Sequence, residues 1–543
     1  MKNELLITVA VAACLISSAK VMRGAGQQPE LKPSFQTSDR CVACHNGLRT
    51  ATGEDVSIGL DWRASIMANS SRDPYWQASV RRESIDHPES QAGIQDECSI
   101  CHMPIVRYEA KLQGRKGEVF SHLPFDTDNK GNAQAEDGVS CSVCHQIGPQ
   151  KLGTPESFNG GFVVDPPDSK NNRPEYGPFA VQTGHQKIMD SSTGGFRPTQ
   201  ATHIRDSAVC GTCHTLYTGA LAAGGKELGK FPEQMPYLEW LHSDYPRKSS
   251  CQSCHMPEMH GPIPITAVYG SPRQGARRHT FVAANFFMQR MLNLYREDLS
   301  VAALPAELSA AADKTVEFLQ SQSARVTIRE ITSTPNGLQV NVLVENLTGH
   351  KVPTAYPSRR AWLHVVVSDS DNNKVFESGA LNPDGSIQGN DNDADPSRFE
   401  PHYREINSSD QVEIYEDIMQ DSAGHVTTGL LSAVGYLKDN RLLPHGFQKQ
   451  TAGKDIAVIG EAADDPNFTD AGALVRYSVA SGGARGPFRV TAELWYQPIG
   501  FRWAHNLNPY SAAETRRFVS YYESMSSGTA VVLARAEAQR CND

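Results

Sequence analysis

The sequence of 543 residues predicts an α+β fold in which a mainly helical and irregular domain precedes a β-sandwich-like domain and a C-terminal helix. In the first half, segments rich in Gly, Pro, Asn and Asp separate short cysteine motifs, as loops and short helices would. After residue 322 apolar and polar residues alternate, which is the period of half-buried strands. The predicted divisions are a signal peptide at 1–19, a cysteine-motif domain at 20–300, a connecting helix at 301–321, the β-sandwich-like domain at 322–505, and the C-terminal helix and tail at 506–543.

The apolar start of the chain predicts export. The run from Leu5 to Ile16 is shorter than the roughly 20 residues that span a bilayer, and small residues follow it. This pattern is typical of a secretory signal peptide, while the residues that end at Cys14 also resemble a bacterial lipobox, which would attach a lipid anchor there. Both routes predict a periplasmic, extracellular or cell-surface location. Cys541 near the C-terminus has no predicted partner.

Five copies of one cysteine motif occupy the first half of the chain. Ten of the 12 cysteines form Cys-x-x-Cys pairs followed at once by His, whereas composition alone predicts about 0.01 such matches. Two thiols at this spacing can form thioethers to one haem, and the adjacent His can bind its iron. Zinc ribbons need no His after every pair, and a redox Cys-x-x-Cys would occur once. The sequence therefore predicts five covalent haem c groups. Motif 1 is Cys41, Cys44 and His45; motif 2 is Cys98, Cys101 and His102; motif 3 is Cys141, Cys144 and His145; motif 4 is Cys210, Cys213 and His214; motif 5 is Cys251, Cys254 and His255.

Other histidines are candidates for the second axial position of each iron, which is usually filled by His or Met. Six of them lie in loops or near the motifs, where a side chain could reach across to a haem. The other histidines of the β half are expected to be ordinary polar residues, namely His364, His402, His425, His445 and His505. The predicted distal ligands are His87, His122, His185, His203, His279 and His350.

The elements after the last motif follow from periodicity. Two apolar faces with helical spacing come first, and alternating runs then predict strands. Ser511 and Glu514 are spaced as a capping box before a final helix. The helical faces are Phe287, Met291, Leu294 and Tyr295, and then Leu308, Ala312, Thr315 and Leu319; the strands are 338–344, 362–367, 411–415, 475–479 and 488–496.

One acidic turn is a weak candidate for a second kind of site. Asp391, Asp393 and Asp395 alternate with other residues, and carboxylates at this spacing could bind Ca²⁺. The Gly and terminal Glu of an EF-hand loop are missing, so a solvated turn is the alternative. The sequence contains no P-loop and no Gly-x-Ser-x-Gly motif.

The five motifs and the loop from Thr348 to Thr354 resemble the bacterial multihaem c-type cytochromes, in the broad class of the nitrifier tetrahaem cytochromes. The resemblance implies mostly bis-His haems stacked in close pairs that pass electrons along the stack. Pentahaem nitrite reductases have the same haem number, but most carry Cys-x-x-Cys-Lys at the catalytic haem, and this chain has His at all five positions.

Two functional hypotheses follow. The first is an electron carrier that exchanges electrons with partner redox proteins, and the number of histidines favours it. The second is a multihaem reductase or oxidase with one open haem for a small nitrogen or sulfur compound, and Arg277 and Arg278 are its candidate pocket residues. The net charge of −10 makes nucleic acid an unsuitable partner. A membrane contact is predicted only through Cys14, and no oligomeric state is predicted.

Overall fold

The computed structural model describes residues 34–125 and 132–540. The predicted leader, the possible lipid anchor at Cys14 and the tail thiol at Cys541 lie outside these residues. The fold is α+β, which confirms the predicted class. Among the described helices, none combines the length and the apolar character that a membrane crossing needs.

The first half consists of short helices and small two-stranded sheets joined by long connections. Its longest helices, α3 (Pro74–Asp86) and α4 (Gln91–His102), follow one another in the chain, and α4 ends at the His of motif 2. Its helices are α1 (Ser38–Val42), α2 (Ile58–Arg63), α3 (Pro74–Asp86), α4 (Gln91–His102), α5 (Pro104–Leu112), α6 (Ala133–Glu136), α7 (Cys141–His145), α8 (Thr183–Thr193), α9 (Ser207–Gly211), α10 (Pro236–Leu241) and α11 (Cys251–His255). Its strands are β1 (Arg173–Gly177), β2 (Phe196–Gln200), β3 (Leu216–Leu221), β4 (Glu227–Gln234), β5 (Ile263–Pro264) and β6 (Pro272–Arg273).

Two helices connect the halves. Helix α12 spans Phe286–Leu294 and α13 spans Pro305–Gln322. The buried face of α13 consists of the four predicted residues, so the helical period placed this face correctly. In α12 the predicted face is only partly right, because Leu294 is exposed. The buried residues of α13 are Leu308, Ala312, Thr315 and Leu319.

The second half is built on two four-stranded sheets with short additional strands. The strands are β7 (Ala324–Thr334), β8 (Gly337–Asn346), β9 (Arg360–Ser368), β10 (Lys374–Ser378), β11 (Glu405–Ile406), β12 (Ile414–Tyr415), β13 (Asp417–Asp421), β14 (Val426–Thr427), β15 (Ala433–Asp439), β16 (Phe468–Thr469), β17 (Gly472–Ala480), β18 (Phe488–Gln497) and β19 (Val531–Arg540). One sheet has the order β10-β9-β18-β19, with β12 paired to β9; the other has the order β11-β17-β8-β7, with β16 paired to β17. Strands β13, β14 and β15 form a further small sheet.

Alternating burial packs the two sheets together. Along β8 the residues from Leu338 to Val344 are buried at every second position, as the sequence period predicts. The same holds along β18 from Phe488 to Tyr496. The remaining helices are α14 (Asp391–Ala394), α15 (Phe501–His505) and α16 (Ala513–Ser524). One large core joins both sheets with α12, α13, α15 and α16, and α14 lies outside it.

The C-terminal region differs from the expectation in two ways. Helix α16 exists, but its N-cap is Ala512 and no side chain caps it, so the predicted capping box is wrong. Glu514 instead pairs with Arg81 of α3 through two hydrogen bonds of 2.9 Å. The chain then continues into β19, which pairs with β18 along nearly its whole length and extends the sandwich beyond residue 505.

Candidate haem-binding site

All five cysteine motifs line one continuous cavity, and residues of the second half complete its wall. The cavity has a volume of about 1590 Å³, and every cysteine and histidine of motifs 1 to 5 contributes to its wall. Within the described residues, none of the ten motif cysteines forms a disulfide bond, so each thiol is available to form a thioether. Residues far apart in the sequence thus converge on a space suited to several large apolar groups.

The backbone around the motif histidines orients their rings. The structure describes all five motif histidines, and four of them donate a hydrogen bond from Nδ1 to a backbone carbonyl at 2.5–2.9 Å. A His that uses Nδ1 in this way presents Nε2 to a metal, because the hydrogen bond sets the tautomer. The pairs are His45 with Ile265, His102 with Ser70, His145 with Tyr176, and His255 with Val282.

Burial keeps these imidazoles in the form that binds metals. Burial lowers the pKa of His102 and that of His214 to about 4. It lowers the pKa of His279 to about 3. A neutral imidazole has a free nitrogen lone pair for coordination, whereas an imidazolium has none.

Two of the predicted distal histidines face a motif histidine at the spacing of a shared metal. The ring centroids of His145 and His279 are 6.3 Å apart with planes inclined by 19°, and those of His255 and His350 are 6.3 Å apart with planes inclined by 8°. Two imidazoles that bind one metal from opposite sides at about 2.0 Å would have centroids about 6.4 Å apart.

The distal rings use the same hydrogen bond as the proximal ones. Nδ1 of His279 bonds to the carbonyl of Arg277 at 3.2 Å, and Nδ1 of His350 bonds to the carbonyl of Lys351 at 2.9 Å. In both pairs each ring therefore keeps Nε2 for a metal between them, which is the arrangement that six-coordinate iron requires.

The remaining motif histidines have different surroundings. The structure describes all 18 histidines. None of them has its ring centroid about 6.3 Å from that of His45, His102 or His214 in the way that His279 and His350 face their partners. His102 packs instead against the indole of Trp76, with centroids 4.4 Å apart and planes inclined by 3°. This stacking restricts rotation of the His102 ring, and no local sequence pattern predicts it.

The other predicted distal ligands have hydrogen-bond partners of their own and do not face a motif histidine. His185 lines the cavity, and its Nε2 bonds to the carbonyl of Tyr269 at 2.8 Å. Three others do not reach the cavity wall in the described part of the chain, because polar neighbours hold them elsewhere. His87 bonds to Ser432, His122 to Asn132, and His203 to the carbonyl of Ile147.

Contacts between cysteines show which motifs are neighbours. The thiols of motifs 1 and 3, of motifs 2 and 4, and of motifs 4 and 5 lie close enough to shift each other's pKa, and motif 3 also lies near motif 4. The order in space is therefore not the order in the sequence, and motif 4 has the most neighbours. The neighbouring thiols are Cys41 with Cys141, Cys101 with Cys213, and Cys210 with Cys251.

The two candidate pocket arginines have structural partners. Arg278 pairs with Asp61 at 2.8 Å and with Glu54, and Arg277 donates to the carbonyls of Gln252 and Met256. Arg277 thereby supports the helix of motif 5. Sequence reasoning did not single out Tyr75, Tyr356 and Arg359, which line the cavity from α3 and from the β half.

The acidic turn does not assemble a calcium site. The carboxylate of Asp393 binds Arg360 at 2.7 and 2.9 Å and is buried. Asp391 pairs with Arg398, and Asp395 accepts hydrogen bonds from Ser397. Within the described residues, no group of three or more His, Cys, Asp or Glu side chains is arranged to hold a metal ion.

No family model matches this chain. No curated protein matches it either. Among solved structures, the chain is similar to the crystal structure of a penta-heme cytochrome c552 from Thermochromatium tepidum, with 14% identity and a TM-score of 0.49. The likeness covers 94% of this chain and 100% of that one, but at this level it carries no functional argument.

The residues of the site themselves fit haem c. Paired free thiols, neutral histidines with Nε2 available and an apolar cavity are the three requirements of a covalently attached haem. His279 and His350 also lie where a second ligand of the motif 3 and motif 5 sites would be needed.

Proposed function

We propose that this chain is an exported multihaem c-type cytochrome that carries electrons through five covalently bound haems to or from partner redox proteins. The convergence of all five motifs on one cavity carries this proposal. One-electron transfer is the chemistry that the bound groups supply. Export follows from the predicted leader and from the attachment of c-type haem outside the bacterial cytoplasm.

The protein's part in this function is to hold, orient and enclose the groups. The cysteines attach them, and the carbonyl-bonded histidines bind iron with defined ring orientations. His279 and His350 complete two of the iron sites and exclude a substrate from those positions. Neighbouring motifs lie close together in the fold, which short-range electron transfer needs.

Intact mass and haem content test this proposal. Protein made in a host that attaches c-type haem should carry five haems per chain that acidic acetone does not extract. Replacing both cysteines of motif 2, Cys98→Ser and Cys101→Ser, should remove one covalent haem, whereas Cys541→Ser should leave all five. Extractable haem, or an unchanged count in the motif 2 variant, would contradict the proposal.

A reductase or oxidase with one open haem is a second candidate function. The observation that favours it is the lack of a facing imidazole at His45, His102 and His214 among the described residues. Tyr75 and Tyr356 are polar residues of the cavity wall whose ring centroids are 5.8 Å apart, and they could contact a small substrate.

Carbon monoxide separates the two functions. The reduced protein of a pure electron carrier with filled axial positions should bind no carbon monoxide, and its absorption spectrum should stay unchanged. A stoichiometric spectral shift at one haem would support the open-site enzyme instead. Turnover assays with small nitrogen or sulfur compounds would then identify its substrate class.

A further inference from the structure

A buried ionic cluster surrounds the loop that carries His350. Its members are two cations and three carboxylates, and each side chain is at most 7% exposed. Charges buried this deeply are costly unless they are paired and hydrogen-bonded. The Glu239 cluster consists of Glu239, Lys351, Asp417, Asp439 and Arg441.

Glu239 connects the two halves of the molecule at this point. It lies on α10, the helix that precedes motif 5, and it is fully buried. Its carboxylate accepts hydrogen bonds from the backbone N–H of Lys351 at 3.1 Å and from the hydroxyl of Thr354 at 2.5 Å. One carboxylate of the motif half therefore holds two points of the loop that follows His350.

The side chain of Lys351 anchors the same loop in the β half. The ammonium of Lys351 donates to Asp439 at 2.7 Å and to the carbonyl of Ala457 at 3.1 Å. Arg441 binds both oxygens of Asp439 and also pairs with Glu239 at 3.1 Å. The backbone of Lys351 is thus held between α10 and the end of β15.

The position of Lys351 determines that of the His350 ring. His350 donates from Nδ1 to the carbonyl of Lys351, so a shift of this peptide would rotate or displace the imidazole. The spacing of 6.3 Å to His255 leaves little tolerance, because a metal–nitrogen bond has a narrow range of lengths. Gly349 reinforces the arrangement, since a Cβ there would lie 3.0 Å from Tyr245.

We propose that Glu239 is a positioning residue for His350, which it holds in the place where the imidazole can bind iron opposite His255. This inference rests on the proposed binding of haem at motif 5. Glu239 acts through Lys351 and Thr354 and does not touch the iron site itself.

Electron paramagnetic resonance of the ferric protein tests the role. The His350→Ala variant identifies the low-spin signal of the motif 5 haem, because that variant lacks the distal imidazole. Glu239→Ala should reduce the same signal to less than half and create a high-spin signal, with five haems still attached. Glu239→Gln keeps an acceptor oxygen for Lys351 and Thr354 and should retain the low-spin signal.

A matched control and a second variant keep the result interpretable. Glu400→Ala removes another buried carboxylate that does not line the cavity, and it should leave the motif 5 signal unchanged. If Glu239→Ala does not fold because it leaves a cavity, Glu239→Leu fills the same space, leaves Arg441 paired with Asp417 and Asp439, and should lose the same signal. An intact low-spin signal in either folded variant would overturn the inference, whereas protein without covalent haem would contradict the proposed function itself.

Discussion

The two halves of this molecule fill their interiors with different material. The sandwich half has a continuous core of side chains, in which residues such as Val342, Leu363 and Leu494 are fully buried. The motif half has small apolar clusters around a large cavity, such as the group of Leu48, Val56 and their neighbours. One half can therefore be packed by its own residues, whereas the other needs bound groups to complete its core.

Removal of haem should have the largest effect, and this effect should fall on only one of the two halves. Protein made without haem attachment should lose the defined structure of its first half, because ordering those loops has an entropic cost that the small clusters do not offset. Limited proteolysis with mass spectrometry should then cleave within residues 35–285 and leave a fragment of about residues 324–540. The haem-loaded protein is the control, and equal resistance of both halves would contradict the prediction.

Loss of one distal ligand should act on one iron site and leave both halves folded. The His279→Ala variant should convert one haem from low spin to high spin and add one carbon monoxide site, because His279 faces His145 at 6.3 Å. His203→Ala serves as the control, since the ring of His203 is bound to the carbonyl of Ile147. Identical spectra for the two variants would show that His279 is not an axial ligand.

A cavity in the sandwich core should lower stability and leave the haem spectrum unchanged. Leu363 is fully buried between the sheets, so Leu363→Ala should lower the free energy of unfolding by about 2–5 kcal/mol. Leu228 on β4 is 40% exposed, and Leu228→Ala should change it by less than about 0.5 kcal/mol. Urea unfolding followed by tryptophan fluorescence measures both, and equal effects would contradict the proposed difference between core and surface.

The smallest effect concerns a buried histidine of the sandwich half. Burial lowers the pKa of His402, but the charge of Glu413 and hydrogen bonds to Glu413 and Asp465 raise it above its ordinary value overall. Protonated His402 therefore contributes stability that is fully present below about pH 6.5, the unfolded pKa, and is lost as the pH rises through the folded pKa.

The difference in unfolding free energy between the wild type and His402→Gln should accordingly shrink as the pH rises above about 6.5. Urea midpoints measured across this range provide the check. His425, with a side chain that is 76% exposed, is the control, and His425→Gln should show a much smaller dependence. A pH-independent difference for His402→Gln would refute the assignment.

Local patterns predicted the regular elements well and the irregular ones poorly. The alternation in β8 and β18 gave both the strands and their buried faces, because one side of each strand meets the core. The expected strand at 411–415 is shorter, since only Ile414–Tyr415 pairs with β9. Strand β19 was missed because its alanine, arginine and glutamate residues have low strand propensity, and pairing with β18 overrides that preference.

The sequence by itself determined which residues can attach haem, because thioether formation and proximal ligation need only the local spacing of Cys-x-x-Cys-His. It also determined the α+β class through periodicity. Only the tertiary structure decided which distant histidines face the motifs, which motifs are neighbours, and that Glu239 holds the His350 loop. The physical reason is that axial pairing depends on how loops far apart in the sequence meet across one cavity, and no local pattern encodes that distance.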